Sequence, residues 1–153
     1  MPKEIERKWL LESIDVEGYE LLSEEQVEQA YVSENPEVRI RSGSKTGCTL
    51  TLKDNGTIAR TEVDIAISKE QFTEILNEMI QKLPIRKNYR KYRLPNGLIL
   101  EASEVDGGAF CYAEVEFPSV EAAACFQPQF AFLEEVSEKT EYRMRSYWSR
   151  SRA

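Results

Sequence analysis

Glu4-Ile5-Glu6-Arg7-Lys8-Trp9 opens the chain with a charge on almost every second residue, and Ala113-Glu114-Val115-Glu116-Phe117 repeats the pattern near the other end. Side chains alternate across an extended strand, so residues two apart share a face. Glu4, Glu6 and Lys8 therefore share one side of a first strand, opposite Ile5, Arg7 and Trp9. Glu114 and Glu116 oppose Ala113, Val115 and Phe117. The alternation recurs between them: Arg39 and Arg41 oppose Val38 and Ile40, Thr49, Thr51 and Lys53 oppose Leu50 and Leu52, and Arg60, Glu62 and Asp64 oppose Val63 and Ile65.

The simplest reading of such strands is a half-solvated sheet with its charges in water. Two features favour another arrangement. Acids cluster towards the two ends of the chain and bases in the middle, whereas solvated faces mix signs residue by residue. The sequence also offers too little helix to cover a flat eight-stranded sheet, and closing the sheet into a barrel removes its edges. The fold expected is mainly β within the α+β class: a single domain over 1–153 forming an eight-stranded antiparallel closed barrel, a tunnel with a charged lumen and a few helices outside. Strands are expected over about 3–11, 27–32, 37–42, 48–53, 59–66, 87–94, 98–105 and 110–117. Asn55-Gly56 and Asn96-Gly97 predict tight hairpin turns with positive φ, and Gly107-Gly108 does the same before the last strand. Ser68 and Gln71 form a capping box ahead of Phe72, Ile75, Leu76, Met79, Ile80 and Leu83 at helical spacing. Ser119 caps a second helix over about 119–126, and a short helix is expected around 16–22.

Composition narrows the chemistry. The 153 residues are 41% hydrophobic and 31% charged, as in ordinary globular domains. No apolar run approaches the length of a membrane span, and the charged N-terminus lacks a signal-peptide core, so a cytoplasmic protein with no membrane partner is expected. Cys48, Cys111 and Cys125 form no CxxC pair and read as small core residues rather than a disulfide framework. The chain contains no histidine, which removes the usual general base, the usual zinc ligand and any Ser-His or Cys-His pair. A net charge of −7 argues against nucleic acid while leaving room for a local basic pocket. Carboxylates gathered without histidine or cysteine favour a hard divalent cation, Mg²⁺ or Mn²⁺. Arg and Lys facing them favour phosphate. Together these are the equipment of phosphoryl chemistry.

The same residues resemble the CYTH domain, the triphosphate tunnel metalloenzymes. Glu4-Ile5-Glu6-Arg7-Lys8 is similar to the family's ExExK signature, Gln29-Ala30-Tyr31-Val32 to its second strand, and Glu37-Val38-Arg39-Ile40-Arg41 to its R-x-R strand. Thr49 to Lys53 is similar to its T-x-K strand, Arg60 to Asp64 to R-x-E-x-E/D, and Ala113 to Phe117 to a late A-E-V-E-F strand. Each motif alone is weak; six in order are specific. The resemblance implies an eight-stranded tunnel and a divalent metal. It also implies triphosphate chemistry: hydrolysis of tripolyphosphate or a small organic triphosphate, with cyclisation of ATP by a class IV adenylate cyclase, or polyphosphate or nucleotide binding without catalysis, as alternatives. By the same resemblance, metal would fall to Glu4, Glu6, Glu114 and Glu116, with Asp64 and Glu101 as further candidates. The triphosphate would fall to Lys8, Arg39, Arg41, Lys53, Arg60 and Lys87. Glu4, Glu6, Lys8 and Glu62 would take part in catalysis, with Glu62 and Asp64 holding a second metal, orienting water or fixing the bases. Two departures stand out. Tyr89 occupies the Arg position of the family's K-x-R, for which Arg90, Lys91 or Arg93 would compensate through a register change. Ser103 occupies the place of a tunnel-facing Asp, for which Glu101 would substitute, or Glu104 with a bulge. Near the C-terminus, Tyr142-Arg143-Met144 is similar to a family segment ending in Tyr-x-Asn, with Lys139 or Arg143 closing over the tunnel mouth. Substrate identity and oligomeric state stay open.

Overall fold

The computed structural model describes residues 3–153. Nine strands alternate with three short helices: β1 (Lys3–Leu11), β2 (Glu20–Glu34), β3 (Glu37–Gly43), β4 (Gly47–Lys53), β5 (Ala59–Ile67), α1 (Lys69–Glu74), β6 (Ile85–Arg93), β7 (Ile99–Val105), β8 (Phe110–Glu116), α2 (Val120–Cys125), β9 (Glu134–Glu135) and α3 (Met144–Ser151). The order around the sheet is β5-β4-β3-β2-β6-β7-β8-β1, and β1 returns to β5 to close an antiparallel barrel of eight. Closure is short: Lys3, Glu4 and Ile5 pair with Thr61, Arg60 and Ala59. β9 adds two residues to the outer run of β1.

Local chemistry sets these elements. Ser68 and Gln71 make the reciprocal capping box, and α1 then continues as a π-helical stretch, Ile75–Ile80, that ends on Gln81 at φ 58°. The helix therefore stops before Leu83, whose backbone carbonyl is used elsewhere. Ser119 caps α2 by accepting from the Ala122 amide. The helix expected around 16–22 is absent: Gly18 turns the chain at φ 89° and β2 begins at Glu20, so the second strand spans fifteen residues rather than six. Gly97, Gly107 and Gly108 take positive φ as expected, but Asn55 and Gly56 do not. Gly56 matters for space instead, because a Cβ there would run into the Ala59 carbonyl. Cys111 is buried, Cys48 is half-buried and Cys125 is exposed at the end of α2, so Cys125 is not a core residue. Among the described residues no helix is long and apolar enough to cross a membrane.

The apolar strand faces point outward and most are covered from outside, although Val63 and Ile65 of β5 stay exposed. Trp9, Leu100, Ala102, Ala113 and Val115 pack under α2 and the 126–130 segment, where Phe130 meets Trp9 edge-on at 5.1 Å. Arg7 fastens this layer. Its guanidinium donates to both oxygens of Glu135 at 2.8 and 2.7 Å and to the carbonyls of Ala123 and Phe126 at 2.8 Å. One side chain thus ties β1 to β9 and to the end of α2. Arg7→Ala leaves two carbonyls and a carboxylate without their donors. It is expected to destabilise the fold by about 2–3 kcal/mol, read as a fall of roughly 5–10 °C in Tm. Triphosphate affinity of the folded fraction should not change, because Arg7 faces away from the lumen.

The C-terminal segment closes one end of the barrel. Arg143 donates to the Gly56 carbonyl at 2.7 Å, and Arg145 to the Glu34 carbonyl and Asn55 Oδ1 at 2.9 and 2.8 Å. Tyr147 and Arg152 reach Asp106 at 2.6 and 2.8 Å, and Arg152 also donates to the Pro84 carbonyl at 2.8 Å. These contacts touch the β2–β3, β4–β5 and β7–β8 turns and the start of β6, all at the same end. Met144 and Trp148 fill the space beneath, against Tyr31, Ile85, Val105 and Tyr112. The β3–β4 and β6–β7 hairpins lie at the opposite, open end.

Candidate active site

Strand alternation carries inward all the residues assigned to metal, triphosphate or catalysis. Glu4, Glu6, Lys8, Arg39, Arg41, Lys53, Arg60, Glu62, Asp64, Lys87, Glu101, Glu114 and Glu116 all line one cavity of about 410 Å³ inside the barrel. Asp64 and Glu116 sit exposed at its rim, while Glu4, Lys8, Lys53, Arg60 and Lys87 are buried. β5, β1 and β8 are neighbours across the closure and bring most of the acids to one wall. β3 and β6, separated only by β2, bring Arg39, Arg41 and Lys87 to the facing wall.

The acidic wall is internally neutralised. Glu4 takes Lys53 Nζ on both oxygens at 3.0 Å and Arg60 at 3.5 Å. Arg60 also meets Glu37 at 3.3 Å and Glu6 at 4.0 Å, which makes it a brace between acids. Burial would raise Glu4, but a hydrogen bond from Glu62 and the charges of Lys53 and Arg60 bring its carboxyl down to about 2. Burial and that same hydrogen bond push Glu62 up to about 9, so Glu62 carries the proton it donates to Glu4. A second acid pair lies beside the first. Burial and the negative charges of Glu114 and Glu4 drive Glu6 well above the carboxylate range. Glu114 is pushed up by burial but held below its ordinary value by Lys8 and Lys87. Asp64 accepts the Thr51 hydroxyl at 2.5 Å.

The basic wall is not neutralised. Among the described residues Lys53 and Arg60 form ion pairs with carboxylates in the lumen, whereas Lys8, Arg39, Arg41 and Lys87 form none. Lys8 donates to the Tyr142 carbonyl at 2.8 Å and lies 4.1 Å from the Tyr112 ring centroid. Lys87 donates to the Tyr112 hydroxyl. Burial depresses both ammonium groups, and neighbouring guanidinium charges add to the effect on Lys87. Arg39 Nε is buried without any hydrogen-bond partner. Leaving cations and a donor unsatisfied inside a protein is costly, and an anion in the cavity would relieve all of them together.

Several lining residues escaped the sequence reading. Tyr112 shares a face with Glu114, Tyr31 with Gln29, and Glu37 with Arg39; extending the two-residue period by one step finds each. Lys139 and Arg143, the two residues expected at a tunnel mouth, both line the cavity. The departures on β6 and β7 resolve without any shift of register, since pairing runs unbroken from Lys87–Val105 to Arg93–Ile99. Arg90 consequently points outside, to Glu24 and Asp15 at 2.6 and 2.5 Å, while Arg93 shares the face of Lys87, Tyr89 and Lys91 but stands exposed at the end of β6, 3.5 Å from Glu20, so neither compensates in the lumen. Lys91 does line the cavity. No bulge brings Glu104 inward; it accepts from Asn88 at 2.8 Å outside. Tyr89 and Ser103 are direct cross-strand partners, and the Tyr89 hydroxyl donates to Glu101.

The cavity suits a hard cation by its donors, which are oxygens of carboxylates, hydroxyls and one amide, with no thiolate or imidazole among them. Among the described residues no three acids already converge on one point. Mg²⁺, however, commonly takes one or two protein carboxylates and completes its shell with water and substrate phosphate. The Glu6–Glu114 and Glu4–Glu62 pairs offer that number.

Comparison with known proteins is consistent with this geometry. The family model of the CYTH domain matches residues 2–147. The chain is 31% identical over 142 residues to the inorganic triphosphatase of Nitrosomonas europaea, covering 92% of this chain and 93% of that one. The crystal structure of the inorganic triphosphatase NE1496 superposes with a TM-score of 0.63 at 30% identity, over 96% of this chain and 95% of the other. A putative adenylyl cyclase from Hippeastrum, described as having a dominant triphosphatase activity, shares the fold with a TM-score of 0.59 at 19% identity, over 79% of this chain and 82% of the other.

Proposed function

This chain belongs to the CYTH-domain family, and we propose that it hydrolyses a triphosphate, inorganic tripolyphosphate or a small organic triphosphate, with a divalent cation, Mg²⁺ or Mn²⁺. One observation carries the reading: four cations, Lys8, Arg39, Arg41 and Lys87, line an enclosed cavity with no carboxylate paired to them. A triphosphate supplies a matching run of negative charge. Its oxygens would take the free edges of Arg39 and Arg41 and the ammonium groups of Lys8 and Lys87.

Glu6 and Glu114, with Glu4 and Glu62 beside them, would hold the cation, which when bound polarises the phosphoryl group and offsets charge on the leaving oxygen. Everything else falls to the chain itself. The basic wall fixes the phosphates in line, which supplies much of the barrier lowering in phosphoryl transfer. Lys53 and Arg60 keep the acids apart and in place. Glu4, ionised at any ordinary pH, has both oxygens engaged by Lys53, Arg60 and Glu62, so it would orient the attacking water only where one of those partners is displaced. Water and triphosphate become phosphate, diphosphate and a proton.

Incubation with tripolyphosphate and Mg²⁺ or Mn²⁺ should release orthophosphate, and EDTA should abolish the release until metal is restored. Full activity in chelator would refute the metal-assisted reading. Pyrophosphate and cyclic AMP from ATP would replace it with a cyclase. Within the same assay Arg39→Gln is expected to weaken substrate binding by about 1.5–3 kcal/mol, the cost of one charge-assisted contact in a shielded site. An unchanged KM would place Arg39 outside the binding site.

A further inference from the structure

Arg41 differs from the other three unpaired cations in where it stands and in what holds it. It lies toward the open end, where its Nη1 donates to Thr46 Oγ1 at 3.3 Å in the β3–β4 hairpin. That hairpin is itself clamped by buried Glu25, which accepts from Thr46 Oγ1 at 3.1 Å and from the Lys45 amide at 3.0 Å. The guanidinium carbon is 5.1 Å from the Tyr89 ring centroid. Tyr89 in turn is pinned by its hydroxyl, which donates to Glu101. A guanidinium stacked by its face keeps its N–H edge for hydrogen bonding. The ring thus fixes Arg41 without occupying the atoms that grip phosphate. Lys8 and Lys87 lie deeper and are buried, and the far end is closed by α3.

A linear phosphate chain entering from the Arg41 end would place its inner phosphates by Lys8 and Lys87 and its last phosphate by Arg41. We propose that Tyr89 and Glu101 are positioning residues that hold Arg41 on the outermost phosphate, and that this trio makes the site favour three phosphates over two. The inference rests on the triphosphatase reading. Pyrophosphate would fill the inner positions, served by Lys8, Lys87 and Arg39, and leave Arg41 unused.

Calorimetric titration in EDTA, where no turnover occurs, tests this with inorganic tripolyphosphate and pyrophosphate as the two probes. Tyr89→Leu should weaken tripolyphosphate binding about tenfold, as expected for losing the orientation of one charge-assisted contact, and change pyrophosphate binding less than about twofold. Unaltered pyrophosphate binding also reports that the variant is folded. Tyr89→Phe keeps the ring and should retain most of the tripolyphosphate affinity. Arg41→Ala should reproduce the Tyr89→Leu loss, and the double variant should add little to it. Equal losses for the two ligands, or additive losses in the double variant, would overturn the proposal while leaving the triphosphatase reading intact. Failure of the wild-type protein to bind tripolyphosphate would overturn that reading, and this inference with it.

Discussion

Glu6→Gln and Glu114→Gln are expected to lose turnover alike and to differ sharply in metal-free stability. Both would remove an oxygen donor from the same carboxyl pair, so each should lower turnover on the order of a hundredfold in saturating Mg²⁺. Their roles in holding the fold are opposite. Burial and the charges of Glu114 and Glu4 push Glu6 well above the ordinary carboxylate value, which favours its neutral form. Glutamine has nearly the shape and polarity of a protonated glutamic acid, so Glu6→Gln should change metal-free stability by no more than about 0.5 kcal/mol. Glu114 is the charged member, held so by Lys8 and Lys87. Neutralising it removes a carboxylate charge that acts on two enclosed ammonium groups from beyond ion-pair distance, which costs about 1–3 kcal/mol. On a chain of this size that is a fall of roughly 3–10 °C in Tm. Melts of both variants in EDTA decide the matter. Equal destabilisation would mean that the proton is not on Glu6, and retained turnover in both would remove the pair from the metal site.

The barrel was legible because its evidence is periodic. Charge on alternate residues survives any error of a residue or two at strand ends, so Glu4, Glu6 and Lys8, or Arg39 and Arg41, could be assigned to one face before any partner strand was known. Short-range competition was less legible. Residues 16–22 carry helix-compatible side chains, but Gly18 at φ 89° breaks that stretch and the long β2 pairs with both β3 and β6, a tertiary gain that outweighs local propensity. α3 carries no cap hydrogen bond from a side chain and only eight residues, and what holds it is Met144 and Trp148 packed beneath it together with arginine and tyrosine reaching to three turns and the start of β6. Nothing in the sequence near 144–151 announces those distant partners. The charge states were the least legible of all. A row of glutamates reads as a row of like charges, whereas burial and the neighbouring charges hold Glu4 and Glu114 low and push Glu62 and Glu6 up. Tyr89 and Ser103 looked like two separate losses from the family pattern. As cross-strand partners they lie side by side in the barrel wall and form one local difference.

Those protons set the last prediction: the metal-free protein should lose stability as pH rises from about 4.5 to about 9, and bound cation should reverse the loss. Glu62 titrates at its ordinary value of 4.5 when unfolded and at about 9 when folded. Across that window the native state binds one more proton than the unfolded state, so stability falls with rising pH. Glu6 acts in the same direction, since its carboxyl is also raised. Glu4 acts oppositely and lower down: folded at about 2 against 4.5 unfolded, it contributes stability that disappears only as pH falls through that interval. Metal-free stability should therefore peak in mildly acidic solution rather than near neutrality. A divalent cation that occupies these acids must displace the protons on Glu62 and Glu6, so its binding near pH 7 should release protons. Apparent affinity should then climb by up to about tenfold per pH unit for each proton released. Titration of Mg²⁺ into the protein in buffers of different ionisation heat counts those protons directly. No proton release at pH 7, together with a flat dependence of affinity on pH, would show that the cation binds away from these two acids and would move the proposed metal site out of the Glu6–Glu114 and Glu4–Glu62 pairs.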